Sequence, residues 1–170
     1  MRFHDAPTLW AHIVATLPIG GVVGISGYGG SGKTELGKAL GRDKARIQLI
    51  HVDDYLDWPT ACERNQDGEG VDFQTIVDGH ITPFRNKRKP VDYLIIEGIH
   101  IFSVERKVHF DFRIWVDTSI EVANANGQAR DSENQKLWDE VWVPNELDFA
   151  KRHNPQQFAD ARYSWVEQTT

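Results

Sequence analysis

Between Gly24 and Leu36 the chain reads GISGYGGSGKTEL, five glycines followed by a lysine and a threonine. Gly27, Gly32, Lys33 and Thr34 have the spacing G-x-x-x-x-G-K-[ST]. Glycines allow positive φ and let backbone N–H groups converge on oxygen atoms. A helix that starts here presents unpaired N–H groups and a positive dipole end to the same oxygens. The stretch Gly27, Tyr28, Gly29, Gly30, Ser31, Gly32, Lys33, Thr34 and Glu35 is therefore expected to hold a nucleotide's phosphates. Lys33 adds a mobile positive charge, and the Thr34 hydroxyl is a magnesium ligand in such loops.

Gly27, Gly29 and Gly32 also satisfy G-x-G-x-x-G, with Asp53 about 20 residues on, as a dinucleotide fold requires. That reading gives the Lys33–Thr34 pair no purpose and leaves a second acidic strand end, Glu97, without a role.

Acidic residues mark the ends of two apolar runs. HVDDYL puts Asp53 and Asp54 where a strand leaves its sheet. A carboxylate there can take the proton of an attacking hydroxyl, or help hold Mg²⁺ through water; it can equally cap a turn. Asp53 is the better candidate, being nearer the strand. In YLIIEGIHIF, Glu97 closes a buried run, where an unpaired carboxylate is costly. A magnesium shell with Thr34 and Asp53 or a structural ion pair would each satisfy it.

The elements that must position these groups alternate. A helix is expected over 7–17, a strand in GVVGIS, a helix over 32–41 and a strand in ARIQLIHVDD. A loop over 57–70, a helix in DFQTIVDGHI, strands in VDYLIIEGIHIF and FDFRIWVDT, helices over 119–130 and 133–152, and a last strand in ARYSWVE complete the chain. This pattern predicts a three-layer α/β/α domain of phosphate-loop type, with a mostly parallel sheet of about five strands. Its ligand belongs beyond the carboxyl ends of the strands. The 170 residues suit one domain over the whole chain, and no linker divides it.

A net charge of −6 argues against a nucleic-acid or anionic-membrane partner. The single cysteine, Cys62, cannot form an internal disulfide, and no signal peptide or spanning segment is evident, so a cytoplasmic location is expected. The oligomeric state is left open.

GISGYGGSGKT, HVDDYL, LIIEGIHIF, RIWVDTSIEVANANGQARD and NELDFAKRHNPQQFAD, in this order, resemble the uridine kinase family of phosphate-loop kinases, a group that includes phosphoribulokinase and pantothenate kinase. The likeness spans roughly residues 20–160. It implies transfer of the γ-phosphoryl of ATP, with Mg²⁺, to a small-molecule hydroxyl, typically the 5′-hydroxyl of a pyrimidine nucleoside. By the same likeness Asp53 is the base, Tyr55 stands where the family has phenylalanine, and Asp67 in RNQDGEG occupies the place of a ribose-binding aspartate. Arg130 comes from a lid segment around 124–136.

There are departures. The family's adjacent lid arginines fall on Asn126–Gly127, while Arg130–Asp131 matches a following Arg-Asp pair. Either Arg130 suffices, or Lys136 substitutes, or the chain binds nucleotide without kinase activity. A glycine at 127 suits a hinge. The loose match around Asp67 and a shortened segment at HITPFRNKRKP leave room for an acceptor other than a nucleoside. The run Arg85 to Lys89 reads as a solvated loop, and Trp138 with Trp142 as a packing stripe; His80 and His100 are open to a substrate contact or to the commoner structural or solvated role of a lone histidine.

Overall fold

The computed structural model describes residues 1–42, 46–87 and 91–165. Its sheet has six strands, all parallel, in the order β1-β6-β5-β2-β4-β3. They are β1 Arg2–Phe3, β2 Val22–Ser26, β3 Ile47–His51, β4 Tyr93–Glu97, β5 Phe112–Val116 and β6 Ala161–Tyr163. The expected sheet of about five strands gains β1, a two-residue edge too short to show a period.

The helices are α1 Ala6–Thr16, α2 Lys33–Gly41, α3 Trp58–Ala61, α4 Phe73–Ile76, α5 Thr82–Arg85, α6 Ile120–Arg130, α7 Gln135–Leu137 and α8 Val143–His153. No helix among the described residues is long and apolar enough to cross a membrane.

β2 and β4 are buried along their whole length, because both of their faces are covered. Val23, Ile25 and Ile95 face α1 and α2, packing with Leu9, Ile13, Leu36 and Leu40. Val22, Leu94 and Ile96 face the opposite layer, with Phe73, Ile76, Ile81, Phe84, Phe102 and Phe110. Gly24 lies between them, where a Cβ would stand 2.7 Å from the Phe110 ring. β2 is flanked by β5 on one side and β4 on the other, and the chain crosses between these two halves there. In parallel sheets such a crossing opens a crevice at the carboxyl ends of the strands. The residues at 27–32 leave β2 into this crevice.

Two stretches read as regular or as loop differ in detail. The helix expected over 133–152 is a 3₁₀ turn Ser132–Asn134, then α7, a π turn Trp138–Trp142, and α8. Pro144 lacks the N–H that a continuous α-helix would use, and the π turn directly precedes it. The same arrangement recurs at Val77–Ile81 before Pro83. The expected loop at 57–70 contains α3, capped by the Asp57 side chain.

Gly127 does not interrupt α6, which runs unbroken through it to Arg130. The residue is buried, and a Cβ there would stand 2.2 Å from Cη2 of Trp138, so the absent side chain makes room for the indole. Gly127→Ala is expected to lower the melting temperature although alanine favours the helix by about 1 kcal/mol. Overpacking costs about 1–3 kcal/mol, and calorimetric unfolding would measure the balance.

Candidate active site

α2 begins without a side-chain cap. Its N-cap is Gly32, in the left-handed region at φ 91°, and Gly30 is likewise left-handed at φ 80°. The first N–H groups of the helix are thus left for an anion. The loop is pressed from outside: a Cβ on Gly30 would meet the Ala123 carbonyl of α6 at 2.0 Å, and one on Gly29 would meet Glu146 Oε1 at 2.8 Å. Asn126 Nδ2 donates to Gly30 O at 3.3 Å, and Thr118 Oγ1 and Trp165 Nε1 both donate to Ser31 O at 3.1 Å.

Beneath the loop lies a cavity of about 620 Å³. Gly29, Gly30, Gly32, Lys33, Thr34 and Glu35 line one end, and Asp53, Glu97 and Arg130 share it. Four parts of the chain far apart in sequence therefore meet in one place. Lys33 is 7% exposed, and its Nζ donates to Tyr28 O at 2.8 Å. Burial pushes its ammonium below the usual lysine range, while Glu146, Glu97 and Asp53 pull it back up.

Glu97 stands opposite Ile25 of β2 and His51 of β3 in the sheet register. Its Oε1 accepts from Thr34 Oγ1 at 3.0 Å and lies 2.6 Å from His51 Nδ1. The two sequence readings of Glu97, ion pair and metal ligand, thus meet on one atom. His51 carried no signal, because a histidine ending a strand is common. Among the described residues no group of three or more His, Cys, Asp or Glu side chains could hold a metal by itself. The oxygen donors present, a hydroxyl and the carboxylates of Glu97 and Asp53, fit magnesium, an ion that keeps waters and takes nucleotide oxygens.

Arg130 is bidentate to the neighbouring Asp131, at 3.0 and 2.8 Å, and this pairing raises its pKa. Both residues line the cavity. Lys136, by contrast, is exposed and pairs with Glu140 at 3.8 Å, away from the lining.

Other candidates are placed elsewhere. Tyr55 OH bonds His80 Nε2, and neither residue lines the cavity. Asp67 Oδ1 accepts from Arg152 Nε at 2.9 Å and lies 3.1 Å from His153 Nε2, held against the end of α8 and outside the lining. Its neighbours Asn65 and Gly68 reach the cavity instead. Arg85 donates to His109 O at 3.0 Å and pairs with Asp111; Arg88 and Lys89 lie outside the described residues. Trp138 and Trp142 do pack edge to face, at 5.2 Å, and both also line the cavity.

Glu146 is the residue that sequence reasoning missed. It lies on α8, 6% exposed, and its Oε1 accepts the Gly29 N–H at 2.8 Å. Burial raises its carboxyl to about 7, against the pull of Lys33 and the Gly29 amide, with Asp53 raising it further. In the sequence, a glutamate on an amphipathic helix looks the same whether it faces solvent or the core; only the register of α8 sets the difference.

No protein-family model and no curated protein matches the chain. Several solved structures share its fold. A protein described as a possible uridine kinase, from Bacillus stearothermophilus, is 18% identical with a TM-score of 0.70, over 93% of this chain and 96% of that one. One described as a candidate fructose transport system kinase, from Silicibacter sp. TM1040, is 14% identical with a TM-score of 0.69, over 96% and 100%. Shikimate kinase from Acinetobacter baumannii, in complex with shikimate, is 16% identical with a TM-score of 0.50, over 98% and 89%. The chain has the three-layer α/β/α fold of phosphate-loop type that these structures share, as its glycine motif and alternating elements led one to expect.

Glu146 links stability to pH. Its proton is held in the folded state and released in the unfolded state between pH 4.5 and about 7, so stability falls as pH rises through that window and stays lower above it. A shift of this size corresponds to about 3 kcal/mol. Glu146→Gln should flatten the urea-unfolding free energy between pH 5 and 8.

Proposed function

We propose that this protein is an ATP- and Mg²⁺-dependent small-molecule kinase of the uridine kinase type. It would transfer the γ-phosphoryl of ATP to an alcohol, first of all the 5′-hydroxyl of a uridine- or cytidine-like nucleoside. The observation that carries this reading is the meeting of the uncapped α2 N-terminus, Lys33, Asp53 and Glu97 around one cavity. Fold neighbours described as a possible uridine kinase, a fructose transport system kinase and a shikimate kinase support a small hydroxylated acceptor.

The roles follow from placement. The amides of residues 27–34 bind the β- and γ-phosphates, and Lys33 gives up Tyr28 O to bridge them. Asp53 takes the proton of the acceptor hydroxyl as its oxygen bonds to phosphorus and the bond to the ADP oxygen breaks. Arg130, which lines the same cavity, would neutralise charge on the moving group, turning from Asp131 as the 124–136 segment closes. Thr34, Glu97 and Asp53 hold the magnesium, which when bound neutralises phosphate charge.

A second reading, nucleotide binding without transfer, draws on Asn126. An amide stands where a lid arginine would, and it is spent on the Gly30 carbonyl.

Incubation with Mg-ATP and a panel of nucleosides and sugars, read by mass spectrometry, separates the two. Formation of a phosphorylated product supports the kinase; nucleotide binding with no product supports the second reading. Asp53→Asn should keep ATP affinity by calorimetry and lower turnover about 10²–10⁴-fold. Unchanged turnover would remove Asp53 from the base role.

A further inference from the structure

Among the described residues, three buried side chains that line the cavity keep a polar atom unpaired: those of His100, Glu146 and Trp138, the indole of which fills the notch at Gly127. His100 Nε2 and Glu146 Oε2 have no hydrogen-bond partner, and both residues line the cavity. They are 9% and 6% exposed. We infer that His100 and Glu146 together recognise the acceptor, by hydrogen bonds to hydroxyls other than the one phosphorylated, and so select a neutral polyhydroxylated molecule. This inference rests on the kinase reading above.

His100 is held through its backbone and the face of its ring. Its backbone is left-handed, at φ 59°, unusual for a residue with a side chain. Arg106 Nη1 donates to its carbonyl at 3.1 Å, and Nη2 donates to Gly68 O at 3.2 Å. The imidazole packs on Phe149 with 4.5 Å between ring centroids. Gly68 is left-handed too, and a Cβ on it would stand 2.5 Å from that of His100. Phe149 and Glu146 both lie on the buried face of α8, three residues apart. The two unpaired atoms therefore belong to one wall.

A hydroxyl suits both groups. Burial, with Arg106, Lys33 and His153 nearby, holds His100 down to about 3, so the ring is neutral and Nε2 donates or accepts according to its tautomer. Glu146 exists in both protonated and ionised forms at neutral pH. A hydroxyl donates and accepts, so it pairs with any of these states.

Asn145, Asn65 and Arg64 nearby are already engaged. Asn145 Oδ1 accepts from Arg64 Nη1 and from the Asn65 amide, and its Nδ2 donates to Glu63 O at 2.8 Å. Asn65 Oδ1 accepts from the amides of Gly68 and Glu69. Arg64 also pairs with Asp148 at 2.6 Å. Among the described residues, the cations lining the cavity are Lys33 and Arg130, at the phosphate end. A carboxylate or phosphate on the acceptor would meet no opposite charge, and would meet Glu146.

Calorimetry on the full chain tests this. The magnesium complex of a non-hydrolysable ATP analogue is titrated first. Uridine and D-fructose, with uridine 3′-monophosphate and D-fructose 6-phosphate as anionic counterparts, are then titrated into the loaded protein. A neutral probe should bind, and its anionic counterpart should bind at least about tenfold more weakly. His100→Asn, which tolerates the left-handed backbone, should weaken the neutral probe about tenfold and leave the analogue's Kd in place. Glu146→Gln keeps an oxygen for Gly29 while replacing the unpaired atom and removing a charge near Lys33; with the analogue's Kd measured alongside, it should weaken the probe similarly, and it carries the test if His100→Asn does not fold. Unchanged probe affinity in a folded variant overturns the inference. So does equal binding of the anionic counterparts, or binding of neither neutral probe while the analogue binds. If the analogue itself fails to bind, the kinase reading falls, and this inference with it.

Discussion

The site depends on keeping one ammonium group charged inside the protein. Lys33 is buried at the base of the glycine loop, and burial lowers its ammonium below the usual lysine range. Three carboxylates, Glu146, Glu97 and Asp53, come from α8, β4 and the end of β3 to hold that charge. Two of them are held by further contacts. Glu146 takes the Gly29 amide, Glu97 takes Thr34 and His51, and Asp53 lies exposed at the cavity edge.

The loop's shape is enforced by its neighbours as much as by its glycines. α6 lies so close that Gly30 has no space for a side chain, and Trp138 fills the notch that Gly127 leaves in α6. The indole is also in contact range of Gly29, where a Cβ would stand 3.0 Å from it. The phosphate loop, α6 and the π turn before α8 are thus one packed unit. Movement of the 124–136 segment must repack Trp138 rather than bend α6 at a glycine.

Much of the architecture was legible because it follows from local rules. Buried parallel strands are apolar throughout, helices repeat every three or four residues, and a phosphate loop demands glycines at set positions. GVVGIS, LIIE and FRIWV could hardly be other than central strands. The placement of Asp53, Glu97 and Lys33 at one end of the sheet follows from strand ends in a βαβ fold. What was not legible were contacts of large sequence separation. Asp67 matched by sequence position to a ligand-facing place, yet Arg152 and His153, more than 80 residues on, draw it to the end of α8. Tyr55 is turned to His80 in the same way.

The sequence by itself determined the class of fold, the anion-binding loop and the carboxylates at its strand ends, since all of these rest on backbone conformation and short-range periodicity. Only the tertiary structure decided that Glu146 and His100 face the cavity, that Glu97 shares its oxygen between Thr34 and His51, and that Gly127 is a packing notch. The reason is physical. A side chain's burial and partners depend on how helix faces are rotated against a sheet, and that rotation is settled by packing among distant residues, which no local spacing encodes.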